Sequence, residues 1–258
     1  MKPLQELDAT GVRVLLFDVD DTLTTQGKLT AEAYGALEAL QRSGLRTVAV
    51  SGRAAGFCEY AARMWPVDAV IGENGGFWYR LVDGRLHREY RETPEVRARN
   101  RERFAAIGRA IVAAVPGCAV ASDERYRQTD FAIDYAEDVV ALPLDAAEHI
   151  AELMRREGLR IAISSIHVHG WFGAYDKLIT SRDLLGRHFQ MDADRQLMSV
   201  LYVGDSPNDA SMFAFFPKSV GVANVRRFAG RMAAEPKFVT HASYGAGFAE
   251  LAAYILRR

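Results

Sequence analysis

The chain has 258 residues, with 32 Lys and Arg against 33 Asp and Glu and a formal charge of −1, a length that suits one large α/β domain or a core plus a smaller companion. About half of it is apolar and a quarter charged, the balance of an ordinary globular chain rather than a disordered or fibrous one. Near-neutral charge excludes the basic footprint of a nucleic-acid or anionic-membrane binder, and no run approaches the ~18 apolar residues of a membrane span.

Residues 12–17 are a continuous apolar, β-branched run, the pattern of a strand buried on both faces of a parallel sheet. The run stops abruptly at Asp18-Val19-Asp20-Asp21-Thr22. A helix is predicted over 30–43, with Thr30 as N-cap, Ala33, Leu37 and Leu40 on the apolar face, and Gly44 as the stop. A second buried strand over 45–50 ends at Ser51-Gly52-Arg53; another helix and a short strand over 69–71 lead to Glu73-Asn74-Gly75-Gly76. This β-α-β-α-β opening predicts a doubly wound parallel sheet with right-handed crossovers.

The pattern then changes. Residues 77–90 alternate around Asp83-Gly84, as in a hairpin. A long charged helix follows over 93–115, with Thr93 as N-cap and Pro94 in its first position. Its arginines, clustered over 91–103, have acidic residues interleaved, which marks a solvated face. Strands over 118–122 and 129–134, a helix over 143–157, and strands over 159–164 and 166–169 complete an α-β-β-α-β-β series. That series suits an open antiparallel sheet with two helices on one side, so residues 87–169 are expected to form an inserted cap between core segments 1–86 and 170–258. After Gly170 the α/β pattern returns: a helix over 176–189, a buried strand over 199–203 ending at Gly204-Asp205, and a helix capped by Ser206 with Pro207 behind it. Short strands over 219–222 and 237–239 and a helix over 247–256 close the core. Cys58 and Cys118 lack metal-type spacing and read as buried thiols; with no apolar leader at the N-terminus, this points to the reducing cytoplasm.

Several buried strands thus end in polar groups, and in an open parallel sheet ligands bind at that edge. Asp18, Asp20 and Asp205 would repel one another there, and a divalent cation resolves the repulsion. Oxygen ligands without a nearby His or Cys favour Mg²⁺ over zinc. A phosphate ester is the substrate such a site explains. Asp18 is the candidate nucleophile, and Asp20 would protonate the departing alkoxide and then deprotonate the attacking water. Ser51 and Lys177 would hold phosphate oxygens, Asp205 the metal, and Asp209 would orient Asp205 or pair with Lys177. Thr22 would complete the cradle with the backbone amides that follow Asp18.

These residues resemble four motifs of the haloacid dehalogenase superfamily, in that family's order. FDVDDTLT (17–24) is similar to its DxDxT motif, SGR (51–53) to its Ser/Thr motif, YDKL (175–178) to its lysine motif and GDSPND (204–209) to its acidic motif. ENGG (73–76) and VGVANV (220–225) resemble elements of the Cof-like branch, and the α-β-β-α-β-β insertion resembles a type IIB cap. The resemblance implies an α/β core with that cap, Asp18 as nucleophile, Asp20 as acid/base, and Mg²⁺ held by Asp18, the Asp20 carbonyl and Asp205. Asp21 stands where glycine is commoner. HVHGWFGAYDKL (167–178) departs from the usual segment before the lysine and bears some likeness to phosphomannomutases, which leaves the substrate open.

Substrate-contact candidates are Thr22, Gly52, Asn74, Asn208 and His169. Asn74 is equally a turn residue, and Arg53 reads as the partner of a core carboxylate. Arg125 and Arg127 lie between two cap strands, in a loop that either dips toward the site to contact substrate or, the commoner case, presents surface arginines. His167 and His169 face one side of a strand without a third metal ligand, and Trp171 and Phe172 are expected to pack at the cap hinge. The expected activity is hydrolysis of a small phosphorylated metabolite, of the sugar or polyol phosphate class. The rivals are a phosphosugar mutase on the same fold and a receiver-like phospho-acceptor. The partner is a small molecule rather than nucleic acid or membrane, and a homodimer is compatible with the pattern.

Overall fold

A computed structural model describes residues 1–257. The apolar runs pair as strands of one sheet: β1 Lys2–Pro3, β2 Val14–Phe17, β3 Arg46–Val50, β4 Ala69–Gly72, β5 Phe77–Val82 and β6 Arg85–Tyr90. A second group follows, β7 Ala119–Val120, β8 Phe131–Asp134, β9 Arg160–Ile163 and β10 His167–Trp171, before the chain returns to the first sheet as β11 Val200–Gly204, β12 Lys218–Gly221 and β13 Phe238–Val239. The main sheet has nine strands in the order β1-β13-β12-β11-β2-β3-β4-β5-β6. It is parallel from β1 to β4 and antiparallel at β5 and β6. β1 is too short to show a period in the sequence, and it adds to the edge beside β13.

Helices α1 Ala31–Arg42 and α2 Ala55–Met64 cover one face of this sheet, joined there by the C-terminal helix, while the other face is covered by the two helices that follow the cap. Thr30 caps α1 as expected, its hydroxyl accepting from Ala33 N–H at 3.2 Å. The insertion carries α3 Pro94–Ala114 and α4 Leu144–Arg156 against a four-stranded antiparallel sheet ordered β7-β8-β10-β9. Phe104, Ile107, Ile150 and Met154 of the two helices bury against Phe131, Ile133 and Val168 of the strands, a hydrophobic core of the cap's own. The core resumes with α5 Lys177–Phe189, α6 Ala210–Phe215 and α7 Tyr244–Leu256.

Two expected boundaries fall inside strands. β6 remains paired with β5 in the main sheet to Tyr90, so the chain leaves the core after residue 90 rather than at 87. At the other end β10 stays in the cap sheet to Trp171, opposite Arg160, rather than stopping at 169. The alternation over 77–90 was legible; β5 pairs with β4, Gly72 opposite Phe77, and so carries β6 into the main sheet with it. Both cysteines are free and buried. Among the described residues no helix is long and apolar enough to cross a membrane.

Candidate active site

The carboxyl ends of β2, β3 and β11 lie side by side, because β2 is the strand from which the chain winds outward in both directions. Asp18 N–H donates to Val203 O at 2.9 Å and fastens the end of β2 to β11. Beyond it the chain turns tightly, with Leu23 and Thr24 N–H both reaching Val19 O at 3.0 Å. Asp21 has φ 56°, the left-handed region, which Asp enters more readily than most residues. Its carboxylate meets Arg227 at 3.1 Å, so the residue that replaces glycine here has a charge partner. Ser51 follows β3, and its hydroxyl accepts from Arg53 N–H at 3.0 Å, leaving its own proton free to donate. Lys177 opens α5 behind the N-cap Asp176, whose carboxylate accepts from Ile179 N–H at 2.7 Å.

These elements converge on Lys177. Its ammonium is 2 % exposed and bridges Asp18 Oδ1 at 2.6 Å and Asp209 Oδ1 at 2.7 Å. Burial alone would lower the lysine, but the two carboxylates outweigh it and hold the ammonium above its ordinary range. Burial pushes Asp18 up to about 8; Lys177 opposes this, while Asp209 and Asp20 add to it. Asp209 Oδ1 also takes the Tyr202 hydroxyl, and its Oδ2 takes the N–H groups of Asp205 at 2.9 Å and Ser206 at 3.2 Å. Both oxygens of Asp209 are therefore engaged, which makes it a support for Lys177 and for the turn after β11. Gly204 is required beside it: a Cβ there would come 2.3 Å from Asp209 Oδ2.

Asp205 is fully buried. Its Oδ2 accepts from Asn224 Nδ2 at 2.9 Å and Arg227 at 3.1 Å, while Oδ1 is buried without a partner. Burial raises this carboxyl well above the usual carboxylate range, and Asp18 and Asp209 add to the effect. Asp18, Asp205 and Asp209 each offer an oxygen within 4.8 Å of the others, the one such group among the described residues. With Asp209 engaged, Asp18 and the orphaned Asp205 Oδ1 remain for a cation. An all-oxygen set with an unsatisfied buried carboxylate oxygen fits Mg²⁺. Thr22 Oγ1 is also buried without a partner, as an anion-binding hydroxyl would be in the absence of its anion.

The cap closes over this cluster and leaves a cavity of about 10 Å³, lined by Asp18, Asp20, Gly52, Arg53 and Asn208 of the core and by Ser164, Ser165, His167 and His169 of the cap. That is room for about one water. Asn208 Oδ1 accepts from Ser206 Oγ at 2.8 Å. His169 is 2 % exposed; its Nδ1 lies 3.2 Å from Asp130 Oδ2. Burial, reinforced by Arg127, holds the imidazole well below its ordinary pKa. The ring is therefore neutral, its Nδ1 lying between Asp130 and Arg127 while Nε2, which would lie 2.9 Å from a Cβ on Gly52, faces the core. Asn74, at φ 55°, gives its amide to Asp130 Oδ2 at 3.1 Å, so it bridges core and cap beside the cavity and does not line it. Trp171 packs where the cap rejoins the core, its Nε1 donating to Tyr175 O at 3.0 Å.

Sequence reading missed much of the seam. Of the two readings of Arg127, the surface one fails: it is 2 % exposed and donates to Gly52 O at 2.9 Å across the seam and to Asp130 Oδ1 at 2.9 Å. Glu73 was not singled out, and its carboxylate accepts from the N–H groups of Gln128, Thr129 and Asp130 and from the Thr129 hydroxyl. Arg53 does pair with a core carboxylate, and that carboxylate is Asp20. The signal that could have found Asn224 was its place in VGVANV; nothing local marks Arg127, Glu137 or Arg227.

No protein-family model matches the chain. A phosphoglycolate phosphatase of Haloarcula marismortui is 28% identical over 241 residues, covering 93% of this chain and 95% of that one. Among solved structures, a HAD/COF-like hydrolase of Plasmodium vivax superposes with a TM-score of 0.69 at 17% identity, over 96% of both chains. The sucrose-phosphatase of Synechocystis, solved with sucrose and phosphate, superposes with a TM-score of 0.62 at 17% identity, over 95% of this chain and 98% of that one. At such identities the structural likeness shows the fold.

Proposed function

We propose that this chain, which has the fold of the haloacid dehalogenase-like hydrolases, is a Mg²⁺-dependent phosphoric monoester hydrolase acting on a small phosphorylated metabolite through an aspartyl-phosphate on Asp18. The observation that carries this reading is the convergence of Asp18, Lys177, Asp209 and the half-satisfied Asp205 at one strand edge. The phosphoglycolate phosphatase likeness along nearly the whole chain supports the reaction class.

Bound between Asp18, the Asp20 carbonyl and Asp205, Mg²⁺ would draw charge from the phosphate so that an anion can approach phosphorus. Thr22, Ser51, the Gly52 amide and Lys177 would hold the phosphate oxygens. An Asp18 oxygen forms its bond to phosphorus as the ester P–O bond breaks, and Asp20 gives its proton to the departing alkoxide. Asp20 then takes a proton from the water that attacks the same phosphorus, and the Asp18–phosphorus bond breaks to release inorganic phosphate. His169 and Asn208, which line the cavity over Asp18, would meet a hydroxyl of the leaving group, which favours sugar or polyol phosphates among small esters. A panel of phosphorylated metabolites assayed with Mg²⁺ and again with chelator tests the proposal. Hydrolysis that persists undiminished in chelator, or none on any phosphate ester, would overturn it.

A further inference from the structure

Two different sets of bonds hold the cap to the core around the cavity. On one side the bonds are buried. The Glu73 carboxylate is wrapped by the 128–130 backbone, and Arg127, with a side chain 1% exposed, reaches Gly52 O. On the Asp20 side the link is a part-exposed ion pair, Arg53 to Glu137 of the cap at 2.8 Å, with side chains 19% and 27% exposed. Within the cap, His167 Nε2 lies 3.0 Å from Glu137 Oε2. An outer cleft of about 630 Å³ lies against this pair, and it shares Asp20, Arg53, Ser165 and Ile166 with the small cavity over Asp18. The Arg53–Glu137 pair therefore stands in the partition between a roomy cleft and an inner space that holds about one water.

The same guanidinium grips the acid/base. Arg53 Nε lies 3.0 Å from each oxygen of Asp20, and its second nitrogen lies 2.8 Å from Oδ1. From this arrangement we infer that the Arg53–Glu137 pair is the gate through which phosphate compounds reach Asp18, and that Arg53 is a positioning residue which ties closure of the gate to the placement of Asp20. The inference deepens the hydrolase reading above and rests on it for the role of Asp20. When the cap swings about its Glu73 and Arg127 anchor, Glu137 withdraws. The guanidinium then loses the cap carboxylate that shares its second nitrogen with Asp20, so nothing from the cap fixes the orientation of the Arg53–Asp20 fork. The acid/base is thus aligned only while the site is closed to water.

The test uses the full chain with Mg²⁺ and two variants. In Glu137→Gln the gate keeps its shape and loses its charge. Exchange of inorganic phosphate between free and bound forms, read by phosphorus NMR line shapes, is expected to quicken about fivefold, the worth of one part-exposed pair. In Arg53→Lys the charge stays and the fork on Asp20 is lost. There kcat/KM for an alkyl phosphate is expected to fall at least roughly tenfold further than for p-nitrophenyl phosphate, whose leaving group departs without a proton. Unchanged phosphate exchange in Glu137→Gln overturns the gate. An equal fall on both esters in Arg53→Lys overturns the positioning role, and a merely structural Arg53 would give that equal fall. Phosphate exchange needs no turnover, so a wild-type chain inactive on every ester would sink the hydrolase reading and leave the gate to its own measurement.

Discussion

Asp18 and Lys177 each sit in a balance of charge that a single substitution upsets predictably. Asp18→Asn keeps the shape of the nucleophile and removes its charge. Lys177 retains Asp209 as a partner, and the carboxylate repulsion falls, so the fold should survive. Turnover should drop at least a hundredfold, about 2.7 kcal/mol in barrier; a variant above that limit by steady-state assay would exclude a covalent Asp18. Lys177→Met should act oppositely on stability. It leaves Asp18 and Asp209 facing each other in a dry site, and breaking a buried pair in this way costs about 3–5 kcal/mol. Thermal or urea unfolding should show that loss; a Met variant as stable as wild type would mean that water or a counter-ion reaches the pair.

At the scale of elements, the seam between β4 and the segment that enters β8 concentrates acid. Glu73, Asp123, Glu124 and Asp130 surround Arg127. Glu124 has the weakest support of the four, one N–H from Ala132 at 3.1 Å and Arg127 at 3.8 Å. Burial raises its carboxyl to about 8 against the pull of Arg127, with Asp130 and Glu73 adding to the rise. A carboxyl raised above its ordinary value of 4.5 binds its proton more tightly in the folded chain. Its stabilising contribution is therefore complete below about pH 4.5 and is lost as pH climbs towards 8. Glu124→Gln should melt with wild type near pH 4.5 and a few degrees above it at pH 8.5. Parallel melting curves for the two chains across that range would show that the Glu124 carboxyl titrates alike in the folded and unfolded chains. Gly75 marks the same element: with φ 104° and a Cβ that would fall 2.2 Å from Asp176 O, it lets the loop after β4 pass beneath the start of α5.

For the whole molecule, a cation bound to the native state alone raises stability by mass action, by about 2.7 kcal/mol at a hundredfold excess over its Kd. Mg²⁺ should therefore raise Tm by several degrees, and chelator should reverse the shift. Asp205→Asn should abolish most of the shift without lowering the metal-free Tm, because the Asn carbonyl can keep the Asn224 and Arg227 contacts of Oδ2 while its amide replaces Oδ1, which has no partner to lose. A Mg²⁺ response that survived in the Asn variant would remove Asp205 from the metal site. Ca²⁺ should stabilise the chain and inhibit it, since its looser, larger shell would draw both Asp18 oxygens away from in-line attack.

Local sequence determined the strands, the caps and the polar stops. Buried strands must be apolar along their whole length, and helix ends need their own donors and acceptors satisfied nearby. The strand-end positions of Asp18, Ser51 and Asp205 were legible because short polar side chains interrupt apolar runs where a parallel sheet exposes its carboxyl edge. Tertiary structure alone decided the partners: Arg53 on Asp20 and Glu137, Arg127 on Gly52, and Glu73 on the 128–130 backbone. Arg53 and Glu137 are 84 residues apart, and Arg127 and Gly52 are 75 apart. A charge pair leaves no periodic trace, and its energy depends on burial, which only the packing of cap against core creates.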